Sequence, residues 1–278
     1  MKLEFAAIRR KTEFSPNHEL NDLLIINQTA DYLRSLGAVI NFYDEDDINA
    51  EIIKENLIFS MVQGPTGISQ LLKLIQSKKD PPLIINSPES VFACYRTNML
   101  FMLPNGGIPI PKTLLVSTNI VMNGEISQFN SDRLWVKRGD VHAIRKEDVI
   151  SIQSNHEQLK NTLKDFRDRQ IGKVVLQEHV TGDTVKFYAV RETDFFYWYH
   201  TDNKFTNVFS ESKLKEIANA SAEILGLYVY GGDAIIGSGG EIIIIDINDW
   251  PSFAPIRNLA SEYIAKLLYS KAKEYVMR

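Results

Sequence analysis

The chain has one cysteine, Cys94. A single thiol excludes an internal disulfide framework and suits a reducing compartment. Flanked by Phe92, Ala93 and Tyr95 in an expected helix, it reads as a core residue rather than a nucleophile. No apolar run approaches the ~18 residues that a membrane span needs. The opening MKLEFAAIRRK carries too short an apolar run for a signal peptide. Net charge is −4 with no long basic or acidic run, so neither nucleic acid nor a membrane is expected as a partner. A phosphorylated ligand needs only local positive charge and stays open. There is no G-x-x-x-x-G-K-[ST] run, which excludes a Walker-type nucleotide loop. Gly64-Pro65-Thr66-Gly67 is too short to stand in for one and reads as a turn. Internal repeats and low-complexity linkers are also missing. What remains is a soluble, cytoplasmic α/β protein of 278 residues and 44% hydrophobic content, enough for a sizeable core in two domains or one large one.

The first 86 residues alternate between strand and helix patterns. LEFAAI, AVINFY, LIFSM and PLIIN read as strands. Helices are expected from His18 to Leu36, stopped by Gly37, in a short piece around Ala50–Glu55, and from Ile68 to Ser77. Short apolar strands in such alternation predict a parallel sheet covered on both faces. From Asn86 onward the pattern changes. One helix through about Leu103 is expected, capped by Asn86 or Ser87 with Pro88 early in it. RLWVKR, DVISI, KVVLQEHV, TVKFYAVR and FFYWYH then follow as strands joined by tight turns, which predicts an antiparallel sheet. Glu211–Leu225 is expected to be helical, LYVYGGDAII and EIIIID to be strands, and a helix from Ala254 to about Tyr275 to close the chain.

IIIIDINDWPSF, from Ile242 to Phe253, poses the central chemical question. Its isoleucines belong to a strand buried on both faces, yet that strand ends in acids, and a carboxylate there must be paired, hydrogen-bonded or metal-bound. Treating Tyr228–Ile236 and Glu241–Asn248 as a hairpin with Ile236 facing Glu241 sets Asp233 opposite Ile244 and Gly231 opposite Asp246. Asp233, Asp246 and Asn248 then share one face. Two carboxylates and an amide oxygen there suit Mg²⁺ held together with phosphates. The alternative is that Asp246 and Asn248 cap the following turn. Gly231-Gly232 is expected to leave room for a ligand. Lys137 in LWVKRG and Lys186 in TVKFYAV each interrupt an apolar strand. Taken singly either could face solvent; together with a carboxylate hairpin they look like a phosphate clamp.

In this order, WVKRG, VVLQEHVTGDTVKFYAV and GGDAII…IIIIDINDWPSF resemble the ATP-grasp superfamily over about residues 86–278. The resemblance implies an α/β N-terminal pre-ATP-grasp domain (1–86) followed by a two-lobed α+β ATP-grasp fold, with a first lobe at 87–179 and a second, metal-bearing lobe at 180–278. It implies ATP and Mg²⁺ as cofactors. Lys137 and Lys186 would contact ATP phosphates. Gln177, Glu178 and Val180 would form the adenine and ribose hinge, partly through backbone groups. Asp233, Asp246 and Asn248 would bind Mg²⁺. Arg96 stands where many relatives carry a phosphate-contacting Lys or Arg; otherwise it is an ordinary helix arginine.

The segment after Lys137 departs from the family. Where many relatives carry a Gly-rich flap, this chain has Arg138-Gly139-Asp140-Val141-His142-Ala143-Ile144. That loop, LQEHV and Asp-Ile-Asn before an aromatic-Pro pair resemble the inositol phosphate kinase branch, whereas most of the superfamily are carboxylate–amine ligases. The expected activity is a Mg·ATP-dependent ligase of small carboxylate and amine substrates. A polyol kinase is the alternative, and a non-catalytic nucleotide-binding protein is the third. Arg138, His142, Arg191, Trp250, Ser252 and Arg257 are candidates for the acceptor site, with Lys186, Arg138, His142 and Arg257 as catalytic candidates. Arg257 could hold an anion bidentately or be helix-surface charge. His142 could act as general acid/base or be a solvated loop residue. Phe195–Tyr199 could line a pocket or form lobe core. The Arg9-Arg10-Lys11 and Ser15–His18 loop is expected to face the cleft and help choose the acceptor. A homodimer is left open.

Overall fold

The computed structural model describes residues 2–15, 18–119, 126–141, 144–201 and 205–277. The chain opens with β1 (Glu4–Ile8), α1 (Glu19–Ser35), β2 (Val39–Tyr43), β3 (Leu57–Ser60), α2 (Pro65–Ser77) and β4 (Leu83–Ile85). The four strands are parallel in the order β2-β1-β3-β4. Their side chains alternate between two cores. Phe5 and Ala7 face α1, and Ala6 and Ile8 face α2. Gly37, at φ +89°, ends α1 in the left-handed conformation that a Cβ would oppose.

Local chemistry redrew three expected elements. The helix around Ala50–Glu55 is absent, because Asn49 Oδ1 takes the N–H groups of Glu51 and Ile52, each at 2.9 Å, and makes a turn instead. Gly64–Gly67 is a helix start rather than a free turn, with Gly64 as the cap residue and Pro65 in first position. The long helix after Asn86 is two helices, α3 (Pro88–Ala93) and α4 (Arg96–Asn105). Ser87 caps α3 through the Ser90 N–H, at 3.2 Å. The break comes at Tyr95, extended and pinned by its hydroxyl donating to the Gln63 carbonyl at 2.7 Å.

Next come β5 (Thr113–Ser117), β6 (Arg133–Arg138), β7 (Val149–Gln153), α5 (His156–Asp168) and β8 (Lys173–Glu178). The sheet is antiparallel in the order β5-β8-β6-β7. Helix α5 was not foreseen, and it replaces the tight turn expected before β8. Asn155 caps it, and Leu159, Leu163 and Phe166 line its buried face at helical spacing.

The rest of the chain is β9 (Asp183–Val190), β10 (Phe196–His200), α6 (Glu211–Ile224), β11 (Val229–Ile236), β12 (Ile242–Asp249) and α7 (Arg257–Val276). Its sheet is antiparallel in the order β10-β9-β11-β12 and is covered on one face by α6. Helix α7 returns to α1 and the first sheet. Tyr188, Val190, Val229, Trp250 and Phe253 therefore share one core with β1, β3, α1 and α7. Two buried polar groups join these parts. Asn86 donates to the Val229 carbonyl at 2.7 Å and accepts from Tyr228 and Val229 N–H. Arg10 donates to Asp22 at 2.9 Å, to the Met61 carbonyl at 3.1 Å and to the Trp250 carbonyl at 3.0 Å. Among the described residues no helix is long and apolar enough to cross a membrane.

Candidate active site

The acidic hairpin differs from its expected register. Ile236 pairs with Ile242 rather than Glu241, Ala234 with Ile244, and Asp233 directly with Asp246. Ile245 is the extra residue of a β-bulge. Ile242, Ile244 and Ile247 all face the α6 core, so alternation is reset across the bulge. Without that reset, Asp246 would turn toward the core. With it, Asp246 and Asn248 lie on the cleft face beside Asp233. The shared face is the expected one, reached by a different pairing. The glycines serve another purpose than expected. A Cβ on Gly231 would meet Tyr188 Cδ1 at 2.9 Å and Pro251 Cγ at 3.0 Å, and one on Gly232 would meet Phe187 Cζ at 2.5 Å. Their room is taken by packed side chains, not held open for a ligand.

A row of charge crosses this sheet. Lys186 on β9 pairs with Asp233 on β11, which pairs with Asp246 on β12. Lys186 Nζ lies 3.2 and 3.3 Å from the Asp233 oxygens. Arg96, the first residue of α4, reaches Asp246 Oδ2 at 2.5 Å from a buried position. Burial pushes the Asp233 carboxyl up from its ordinary value, with Lys186 opposing and Asp246 adding to the rise.

Lys137 enters from the other lobe, on β6, and is 7% exposed. Its ammonium donates to Gln177 Oε1 at 2.6 Å. Burial lowers it from 10.5 to about 8; Asp246 works against that shift and Arg96 adds to it. Gln177, expected in the hinge, thus uses its side chain to hold the lysine.

Between the lobes lies an open cleft of about 360 Å³ whose walls include Trp135, Lys137, Val149, Val180, Ile235 and Ile245. The chain from Glu178 to Gly182 closes its back. The Glu178 carboxylate is partly engaged, accepting the Asn130 N–H at 2.8 Å. Trp135 donates to His179 Nδ1 at 3.1 Å. Sequence reasoning missed Trp135, Ile235 and Ile245 as walls. The first was legible as the alternation partner of Lys137, but the isoleucines carried no signal apart from core.

The acceptor candidates are scattered. Arg138 is held by Asp140 on its own lobe, with Nε to Oδ1 at 2.5 Å, and lies 3.8 Å from Asp148. His142 lies outside the described residues, as do Pro16 and Asn17 of the first loop. Arg191 donates to the Leu227 carbonyl at 2.7 Å and stacks over Tyr228, so it is structural. Trp250 is fully buried and stacked on Phe59, a core residue rather than a substrate contact. Ser252 is half-buried. Arg257 donates to Asn21 at 2.6 Å, where α7 meets α1. Arg10 is consumed by its three bonds. Phe195 to Tyr199 is mostly sheet core, with Phe196 and Trp198 toward α6 and Tyr197 and Tyr199 on the opposite side.

Asp233, Asp246 and Asn248 fit a hard divalent cation. They are all oxygen donors on one face, and the two carboxylates stand on directly paired residues in a half-buried site. Among the described residues no group of three or more His, Cys, Asp or Glu forms a metal cluster.

No protein-family model and no curated protein sequence matches the chain. Solved structures do. The VanG D-Ala:D-Ser ligase of Enterococcus faecalis matches with a TM-score of 0.74 at 13% identity, over 98% of this chain and 100% of that one. The D-alanine–D-alanine ligase of Coxiella burnetii gives 0.72 at 14% identity, over 98% and 97%. The D-alanine–D-alanine ligase of Bacillus anthracis, complexed with ATP, gives 0.70 at 12% identity, over 98% and 99%. The likeness spans 98% of the chain and establishes the fold as the one these ligases share.

Proposed function

We propose that this chain, with its ATP-grasp ligase fold, is a Mg·ATP-dependent enzyme that joins a small carboxylate to an amine. One observation carries the proposal. Lys186 and Arg96 bind Asp233 and Asp246 on one sheet face, which Asn248 shares, and Lys137, in the wall of an apolar cleft, lies within electrostatic reach of both acids. The solved ligases of this fold, one of them complexed with ATP, support it.

The purine would lie between Trp135 and Val149 of one lobe and Ile235 and Ile245 of the other, with the Glu178–Val180 backbone along its edge. Lys137 and Lys186, one from each lobe, would hold the phosphates and neutralise charge on the transferred group. Asp233, Asp246 and Asn248 would hold Mg²⁺, which would supply charge withdrawal from the transferring phosphoryl group. A carboxylate oxygen of the acceptor attacks the γ-phosphorus and ADP leaves. The amine nitrogen of the second substrate then attacks the activated carbonyl carbon, losing a proton as phosphate departs. Holding both substrates against that carbon is a matter of positioning.

Product stoichiometry tests this. The protein is incubated with Mg·ATP and fractionated small metabolites, with Asp246→Asn as the blank, and ADP and free phosphate are measured separately. Equal amounts of both, appearing only when carboxylate- and amine-bearing fractions are combined, are expected. ADP without free phosphate would leave the phosphoryl group on an acceptor and make the protein a kinase.

A further inference from the structure

The metal ligands are already occupied by the protein's own cations. Asp246 is held by Arg96 at 2.5 Å, with side-chain exposures of only 13% and 8%. Asp233 is held by Lys186 at 3.2 Å. Lys137 stands close by, so three basic side chains crowd two carboxylates. A divalent cation entering alone would have to displace a buried arginine from Asp246 and a half-buried lysine from Asp233. A nucleoside triphosphate changes the balance, bringing about four negative charges that compete with the carboxylates for the same cations.

Arg96 is built to be drawn off. Its Nε is buried with no hydrogen-bond partner among the described residues, and Nη1 makes only a 3.3 Å contact with the Arg138 carbonyl. Its backbone is held after it by the Thr97 N–H, which donates to the Gly139 carbonyl at 3.0 Å, and before it through Tyr95. Tyr95 is tied to the Gln63 carbonyl, and the Gln63 side chain donates to Asp249 at 3.2 Å, three residues beyond Asp246. The head can move while its base stays in place.

We propose that Arg96 and Lys186 gate the metal site, masking Asp246 and Asp233 until nucleotide phosphates draw them away, so that the divalent cation enters only with or after the nucleotide. The proposal rests on the metal assignment given under Proposed function. It makes the two residues serve both steps: they block the metal in the empty protein and bind phosphate in the loaded one.

The test is Mn²⁺ binding to the full chain, read from the paramagnetic resonance of free Mn²⁺, with and without ADP. Nucleotide-free wild type is expected to bind at least about tenfold more weakly than Arg96→Gln, and ADP to restore wild-type binding. Adding Asp246→Asn to Arg96→Gln should abolish the gain. Lys186→Gln, which uncovers Asp233 instead, is the second probe, and thermal unfolding reports whether each variant is folded. Wild type that binds Mn²⁺ without nucleotide as tightly as folded Arg96→Gln or Lys186→Gln overturns the gate while leaving the metal site standing. Failure to bind Mn²⁺ in any variant, with or without ADP, overturns the metal assignment and the gate together.

Discussion

Asp233 stands directly across the ladder from Asp246 because Ile245 bulges out between Ile244 and Asp246. A regular ladder continuing from the Ile236–Ile242 pair would have set Asp233 against Ile245 and turned Asp246 into the α6 core. One extra residue therefore converts the end of a core strand into a wall of the cleft.

That pair is the first target. Asp246→Asn keeps the side chain's shape and one oxygen, so the fold should survive at a cost of about 1–3 kcal/mol from the unbalanced Arg96. Metal-dependent charge stabilisation is worth several kcal/mol, so ATP turnover should fall at least ~100-fold. Parallel thermal unfolding and ADP-release assays check both. Turnover within a few-fold of wild type would remove Asp246 from the metal site.

Lys137 predicts a pH dependence. Its folded value, about 8, lies below its ordinary 10.5 because burial disfavours the charged form. Between those values the unfolded chain holds a proton the folded chain has released, so stability rises with pH across that window. Below it the full cost of burying the ammonium is present. Lys137→Met should therefore stabilise the nucleotide-free protein at pH 7 by up to about 3 kcal/mol, with the gain shrinking as pH rises toward 10.5. Melting temperatures of both proteins across that range decide it. The apparent KM for ATP should rise in wild type above about pH 8, as the clamp loses its charge.

Arg10 and Asp22 form an ion pair with side-chain exposures of 6% and 8%. Arg10→Met strands Asp22 and removes the bonds to Met61 and Trp250, which should cost about 3–5 kcal/mol. The double variant Arg10→Met/Asp22→Leu should recover part of that. A denaturant double-mutant cycle measures the coupling; strict additivity would show that the two side chains do not stabilise the fold as a pair.

Trp250 tests whether burial or substrate contact explains an aromatic residue at the end of β12. Fully buried against Phe59, it should cost about 3–5 kcal/mol on truncation to Ala. Trp250→Phe should cost less and leave KM for every substrate unchanged. A selective rise in acceptor KM in Trp250→Phe would return it to the acceptor site.

Much of this was written in the chain. Short apolar strands alternating with helical patterns determined the parallel domain, since burial on both faces leaves few other ways to satisfy such strands. Lys137, Lys186 and the acids of the last hairpin stood out because charge inside apolar strands demands a partner. Local polar competition defeated the finer detail: Asn49 made a turn where a helix was expected, and Tyr95, held by Gln63, broke one helix into two. Only the tertiary structure decided which partners the charges found. Arg96 meets Asp246 across 150 residues of sequence, and Lys137 meets Gln177 across a sheet. It also revealed that Trp250 belongs to the core and that a bulge, not regular register, aims Asp246 into the cleft. Hydrophobic periodicity is local and can be read along the chain. The pairing of charges depends on how separate sheets are set against one another, and no single stretch of sequence contains that.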